Sequence, residues 1–357
     1  MLRKQKLKRA GNARASRRWC KIMISELIAS FISFIVSFLI TPHFIRFFKL
    51  AGLVGLDLQK KDKPKLPTSG GVCVAFGILA GLLSYVGIKT FVYGLRVEVI
   101  PILAIVSSTL MVMFVGLLDD LNIRERAVRT KEGEDIRVGL PQWVKPLLTL
   151  PAAVPLMAIK AGHTTMSIPF IGEIDFGILY PLVLIPIGVV GASNAVNLLG
   201  GFNGMEAGMG IVYMLSLGVY ALINQSIATV VFLTSFASLL GFIRYNWYPA
   251  KILPGDSLTY LLGSLVACGV IIGNMEKAGI VVLTPFIVEF FLKARSRFKA
   301  SCLGVLREDG RLDPPYGSKV YSLTHLVLQL RPTEKQVTLI MILVEAVFSS
   351  IIFLGVL

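Results

Sequence analysis

Charge is the scarcest thing in this chain of 357 residues, 16% of which are Asp, Glu, Lys or Arg, while 55% are hydrophobic. Soluble domains carry about a quarter charged residues, so a soluble globular protein is excluded, as are disorder, coiled coil and collagen. Acids are the rarer sign, 21 against 36 Lys and Arg, for a net charge of +15. In a membrane protein such an excess normally sits on cytoplasmic loops, so it speaks of topology before nucleic acid, and no nucleic-acid partner is expected. The four cysteines, Cys20, Cys73, Cys268 and Cys302, show no CxxC or metal-ligand spacing. They read as small buried hydrophobes. Histidine is almost missing, and His43, His163 and His325 form no cluster. No internal repeat and no low-complexity segment is found.

What is there is apolar length. A membrane span needs about 20 apolar residues, and runs of that kind lie at 22–40, 71–89, 99–118, 144–160, 178–197, 207–223, 227–243, 257–273, 279–292 and 337–357. The expectation is an all-α polytopic membrane protein of about ten transmembrane helices, with a basic tail at 1–21 and one transmembrane catalytic domain over 22–357. The tail resembles a signal-peptide n-region, but the apolar run after it continues to about Phe48 without a small-residue cleavage site, so it reads as a retained first span.

Counting lysines at the span ends with the connection they adjoin, connections after the odd-numbered spans carry 23 Lys and Arg, Lys145 included, and those after the even-numbered spans carry four, Lys89 and Lys160 included. The positive-inside rule puts the first set in the cytoplasm and both termini outside. The tail opposes this, since it holds nine basic residues and no acid. Either the later loops override it, or the span count is off by one, or the natural start is further along, for example at Met23.

Polar groups at the span ends mark the chemistry. Asp119 and Asp120 close an apolar run and are followed by Leu121 and Asn122. Adjacent carboxylates at the mouth of a span repel each other and resist desolvation, so a cation is expected nearby, unless they simply form a solvated helix end. Asn194 and Asn197, three apart, share a helical face. After them come Gly200, Gly201, Asn203, Gly204 and Glu206. Glycines there permit backbone amides to approach a ligand, although a break between two spans would also explain them. Asn246-Trp247-Tyr248-Pro249 is followed by Gly255-Asp256, where Asp256 is either a ligand or an N-cap with Ser257 at N1. A lysine-rich loop, Lys60 to Lys65, leads into Pro67-Thr68-Ser69. It suits anionic headgroups, and Lys145 suits either snorkelling or a phosphate contact. All fall on odd-numbered connections. Carboxylates, amide oxygens, lysines and glycine-rich backbone on one face are the parts of a site for a magnesium-bound diphosphate.

In these motifs the chain resembles the polyprenyl-phosphate N-acetylhexosamine-1-phosphate transferases, most of all the dolichyl-phosphate GlcNAc-1-phosphotransferase branch of eukaryotes and archaea. The carriers are Gly55-Leu56-Asp57-Leu58 with Pro67-Thr68-Ser69, Asp119-Asp120-Leu121-Asn122, Asn194 to Gly208, Asn246 to Pro249 and Gly255-Asp256. The resemblance implies ten membrane helices, a site at the cytoplasmic face, and transfer of GlcNAc-1-phosphate from UDP-GlcNAc to a dolichyl-type phosphate with release of UMP. It implies that Asn197 and Asp256 ligate Mg²⁺, or Mn²⁺ in its place, and that Lys145 lies near the phosphates. Asn203 and Gly201 would hold uracil, helped by backbone from Leu56 to Leu58, while Asp119 and Asp120 lie beside the lipid phosphate. Asp57, Thr68, Asn122, Asn194, Gly204, Glu206, Arg297 and Lys299 complete the expected substrate surface. The lipid bilayer is the constant partner, a homodimer is allowed, and the location implied is an archaeal cell membrane or the endoplasmic reticulum.

The histidine-rich motif that bacterial relatives carry after span 9 is absent, since residues 293–319 contain no histidine. The muramyl-pentapeptide reaction is thereby disfavoured. Leu253 stands where the eukaryotic branch has an aromatic three positions before the metal Asp, so the base would rest on an aliphatic wall. Two other classes fit less well. Intramembrane prenyltransferases use paired DxxxD-like motifs, which are missing here, and a transporter of a phosphorylated metabolite would put polar residues near mid-membrane in two related halves.

Overall fold

The computed structural model describes residues 2–94, 99–121, 128–129, 135–136, 140–168 and 172–354, the side chains of 2–22, 128–129, 135–136 and 168 excepted. Asn122, the side chain of Cys20 and the basic side chains of the tail lie outside the described residues. Among the described residues the regular structure is helical apart from four two-stranded hairpins.

Helix α1 spans Leu2–Leu50, and its apolar part is Met23–Leu50. Leu27, Phe31, Leu39 and Phe47 are exposed on it, a surface that suits lipid. Its other side packs on α2 (Gly71–Gly87) and α8 (Ala228–Asn246). Small polar side chains fasten the three helices together: the Ser33 hydroxyl of α1 donates to Thr234 O of α8 at 2.7 Å, and Ser238 of α8 to Val74 O of α2 at 2.8 Å. Between α1 and α2 a hairpin pairs β1 (Val54–Leu56) with β2 (Lys65–Pro67), Gly55 opposite Leu66.

Six helices are long and apolar enough to cross a membrane: Met23–Leu50, Gly71–Val92, Val99–Leu121, Met205–Ile223, Ala228–Asn246 and Gly255–Gly273. The chain is therefore a multi-pass integral membrane protein, and the expectation of ten such helices is corrected to six among the described residues. Proline and charge account for the difference. The run 144–160 breaks into α4 (Val144–Thr149), a 3-10 turn (Leu150–Ala153) and α5 (Val154–Ala158), interrupted by Pro146, Pro151 and Pro155, each of which removes a backbone donor. The run 178–197 becomes a π-turn (Tyr180–Leu184) leading into α6 (Ile185–Val196). The run 279–292 divides into α10 (Glu276–Val282) and α11 (Thr284–Arg295), parted just before Pro285. After α12 (Leu323–Leu328), the final α13 (Glu334–Ile351) carries Glu334, Lys335 and Glu345.

At the centre stands α9 (Gly255–Gly273), continuously buried from Ser257 to Ile271. Around it pack α3 (Val99–Leu121), α6, α2, α8 and α7 (Met205–Ile223). Gly116 lets α3 touch the start of α9, because a Cβ there would strike the backbone of Asp256 and Ser257. That approach brings the acid pair at the end of α3 to the first turn of α9. Cys73, Cys268 and Cys302 are free and buried, as their scattered apolar setting in the sequence suggests.

Candidate active site

The site begins with Asp120, whose carboxylate accepts the backbone N–H of Asp256 at 2.7 Å and of Ser257 at 3.2 Å. Two of the otherwise unpaired donors at the start of α9 are thus capped by an acid from another helix, where its charge also suits the helix dipole. Gly255 makes this approach possible: its φ is +69°, and a Cβ would collide with the Asp120 carboxylate. Asp120 is consumed in holding Asp256, which itself opens outward with its side chain 32% exposed.

Asp119, one residue earlier, is 1% exposed and accepts the Leu140 N–H at 2.6 Å. Its other oxygen pairs with the ammonium of Lys145, which also lies 3.4 Å from Asp256 Oδ2. Lys145 is delivered by the first turn of the proline-broken α4. One lysine therefore bridges two carboxylates that would otherwise repel each other.

Asn197, at the end of α6, points Nδ2 at Asp256 Oδ2 at 3.4 Å, while the Thr259 hydroxyl donates to its Oδ1 at 2.5 Å. Thr259 also reaches Asp256 O at 3.0 Å. Asn194, one turn back, donates to Thr149 Oγ1 at 3.1 Å and accepts from the Tyr260 hydroxyl at 3.3 Å. The two asparagines share a face, as their spacing predicts, but Asn194 serves the packing of α4, α6 and α9.

The glycine-rich turn closes the other side. Glu206, in the first turn of α7, accepts the Gly201 N–H at 2.6 Å, so it shapes the turn from within. Gly204 ends it with φ +77° against Trp247. The amide of Asn203 faces inward: Nδ2 donates to Asp57 Oδ2 at 3.2 Å, and Oδ1 accepts from Ala250 N at 2.9 Å and from Lys60 at 3.3 Å.

A cleft of about 190 Å³ joins these parts, lined by Asp256, Asn197 and Thr259, by Gly201 and Asn203 of the glycine-rich turn, and by the apolar Leu253. Leu56 lies in β1, and Leu58 and Thr68 are buried beside it. The hairpin docks on the cleft rim through Leu253 N to Pro67 O at 2.8 Å and Gly70 N to Leu253 O at 3.1 Å. Arg297 and Lys299 are exposed and do not line the cleft.

The connection after α11 is fastened instead by buried groups. Lys293 pairs with Glu289 at 3.7 Å and donates to Ala300 O at 2.6 Å, while Glu289 accepts Leu323 N–H at 2.7 Å. His325 accepts the Tyr321 N–H on Nδ1 at 3.2 Å and meets Ser301 O through Nε2 at 2.9 Å, a pattern that a neutral ring protonated at Nε2 satisfies. Burial, and then the nearby Lys293 charge, push its pKa down from 6.5 to about 4. Burial likewise raises the Cys302 thiol.

Two features suit the Asp256 end to a hard divalent cation. A cation already sits there, the Lys145 ammonium between Asp119 and Asp256. Turning the Asn197 amide over would place its oxygen beside Asp256 Oδ2 and its NH₂ on Thr259, whose hydroxyl can accept while donating to Asp256 O. Among the described residues no group of three or more His, Cys, Asp or Glu is arranged to hold a metal. The oxygen set matches Mg²⁺, which commonly relies on one or two protein ligands with water and phosphate for the rest.

Thr259, Tyr260, Thr149, Lys60 and Glu334 are functional-site neighbours that motif reading left out of its site. Thr259 had a signal, because it follows Asp256 by one helical step of three and so shares its face. Lys60 showed only as part of the lysine-rich loop and Glu334 not at all, since they stand 143 and 131 residues from Asn203 in sequence.

The model of glycosyl transferase family 4 matches residues 102–274, the stretch holding Asp119, Asp120, Lys145, Asn197, Asn203, Glu206 and Asp256. The fold and site thus define a multi-pass membrane protein of that class. A provisionally named UDP-N-acetylglucosamine-dolichyl-phosphate N-acetylglucosaminephosphotransferase of Saccharolobus solfataricus is 37% identical over 334 residues, 92% of this chain and 96% of that protein. The Dictyostelium discoideum protein of the same activity name is 26% identical over 317 residues, 78% of this chain and 73% of that one. The phospho-N-acetylmuramoyl-pentapeptide-transferase of Streptococcus mutans is 30% identical over 280 residues, 75% and 78% respectively. The chain belongs to the polyprenyl-phosphate N-acetylhexosamine-1-phosphate transferase family, close to the archaeal and eukaryotic dolichyl-phosphate GlcNAc-1-phosphotransferase branch.

Proposed function

We propose that this chain transfers GlcNAc-1-phosphate from UDP-GlcNAc to a polyprenyl phosphate of the dolichyl type, at the cytoplasmic face of an archaeal or endoplasmic reticulum membrane. The observation that carries the reading is a cleft lined both by Asp256 and Asn197 and by the glycine-rich turn and Leu253. The first pair suits a diphosphate, and the turn with its aliphatic wall suits a nucleoside base.

In the proposed reaction an oxygen of the lipid phosphate attacks the sugar-bearing phosphorus of the donor. The bond from that phosphorus to the UMP oxygen breaks, UMP leaves, and a lipid-linked sugar pyrophosphate remains. The second pKa of a phosphate monoester is near 6, so the acceptor is largely dianionic at pH 7 and no base is required. Charge and position supply most of the acceleration in such transfers. Lys145 contributes a point charge to the phosphate oxygens, leaving Asp119 to orient it. Asp120 acts through the backbone by fixing where Asp256 points. Asn197 and Asp256 would hold Mg²⁺, whose charge would offset that of the donor's diphosphate. Leu253 and the backbone of the glycine turn offer the base an aliphatic slot in place of an aromatic stack.

The test is a membrane assay offering UDP-GlcNAc, UDP-GalNAc or UDP-MurNAc-pentapeptide with dolichyl or undecaprenyl phosphate, followed by the mass of the lipid product. A product heavier than the lipid phosphate by one GlcNAc-phosphate, formed with equimolar UMP, is expected. Exclusive use of another donor would overturn the substrate, and uptake without a lipid product would favour a transporter. A labelled phospho-enzyme formed from donor alone would overturn the single displacement.

A further inference from the structure

The glycine-rich turn is held from outside by residues that the transfer chemistry does not use. Glu334, on the first turn of α13 and 5% exposed, accepts the backbone N–H of Asn203 on Oε1 at 2.9 Å and pairs through Oε2 with Lys60. Lys60 also pairs with Asp57 at 3.3 Å, donates to Asn203 Oδ1 at 3.3 Å, and lies 4.4 Å over the Tyr248 ring. One helical turn beyond Glu334, the Thr338 hydroxyl donates to Asn203 O at 3.1 Å. The N–H, carbonyl and both amide atoms of Asn203 are thereby engaged by the hairpin loop, α13 and the α8–α9 connection.

Such a cluster is not generic packing. Two carboxylates and one ammonium are gathered in a low-dielectric interior, an arrangement that costs desolvation energy and is weak evidence for stability. What it secures is the conformation of one residue, and that residue lines the donor cleft. A turn whose backbone contacts a ligand loses affinity when it is free to move, because ordering it must then be repeated at each binding event.

We propose that Glu334, Lys60 and Thr338 are positioning residues for the nucleotide end of the donor, and that the last helix sets donor affinity by clamping the turn at Asn203. This inference rests on the donor reading given above.

The test is steady-state kinetics on detergent-purified Glu334→Gln, Thr338→Val, Lys60→Met and Lys60→Arg, with UMP affinity measured on the same samples. Glu334→Gln and Thr338→Val are near-isosteric, so at least these two should fold. A lost hydrogen bond to a charged group supports an expected rise of about tenfold in donor KM for Glu334→Gln and Lys60→Met. A smaller rise is expected for Thr338→Val, and Lys60→Arg should restore most of the Lys60→Met loss. kcat and acceptor KM should stay within about twofold, which a merely structural defect would not produce. Unchanged donor KM in folded Glu334→Gln and Thr338→Val, or equal falls in kcat with KM unmoved, would overturn the proposal. If the wild-type protein binds UMP but releases none from any UDP-sugar, the activity reading fails by itself, and weaker UMP binding by the variants still supports the clamp. Unaltered UMP binding by them sinks it.

Discussion

Asp120, at the end of one helix, takes the backbone N–H groups of Asp256 and Ser257 at the start of another. The relationship gives the two members of the Asp119–Asp120 pair different tasks. Asp119 faces the ammonium of Lys145, whereas Asp120 is locked onto backbone. Asp120→Asn keeps an acceptor but loses the charge at the helix N-terminus, an effect of up to about 2 kcal/mol in a partly buried setting. A lower thermal midpoint in detergent together with reduced kcat is expected, and an unaltered midpoint would contradict the capping role.

Asp256→Asn removes the proposed metal ligand and a partner of Lys145 while preserving shape. UMP release should fall by more than about a hundredfold, with elution from gel filtration unchanged. Normal turnover of UDP-GlcNAc by this variant would show that the metal is held elsewhere.

Thr259→Val deprives the Asn197 amide of the hydroxyl that orients it. Groups that orient metal ligands typically affect metal affinity by about 10–100-fold. The Mg²⁺ concentration for half-maximal activity should rise within that range, and Thr259→Ser should bring it back. A change in maximal rate with no change in Mg²⁺ dependence would argue for a packing role.

Gly255→Ala forces a Cβ onto the Asp120 carboxylate at a left-handed backbone position. Loss of stability and activity together is expected, at least as large as for Asp120→Asn. Wild-type behaviour on thermal unfolding would mean that the cap is dispensable.

His325 makes stability depend on pH. Above its ordinary value of 6.5 the ring is neutral whether the chain is folded or not, but burial and Lys293 hold the folded value at about 4. Between those values the unfolded chain takes up a proton that the folded chain refuses, so its contribution falls as pH drops from 6.5 toward 4. The thermal midpoint should decline across this window, and His325→Asn should flatten the decline relative to the wild type. Parallel curves would assign the acid sensitivity to other groups.

Composition alone determined that the chain lives in a membrane, because too little charge is present to cover a soluble surface. Motif order gathered Asp119, Lys145, Asn197 and Asp256 on one face, and the tertiary structure brings the four side chains together. Helix periodicity also placed Asn194 and Asn197 on one face. Local pattern could not say which apolar runs become uninterrupted helices, and the prolines at 146, 151 and 155 show why: hydropathy counts them as neutral while the backbone loses a donor at each. Nor could it separate Asp119 from Asp120, identical neighbours whose roles differ only because Gly116 and Gly255 let α9 approach one of them. The tertiary structure alone decided that Asn203 is clamped by Lys60 and Glu334, since contacts between residues so distant in sequence follow from packing and leave no periodic trace.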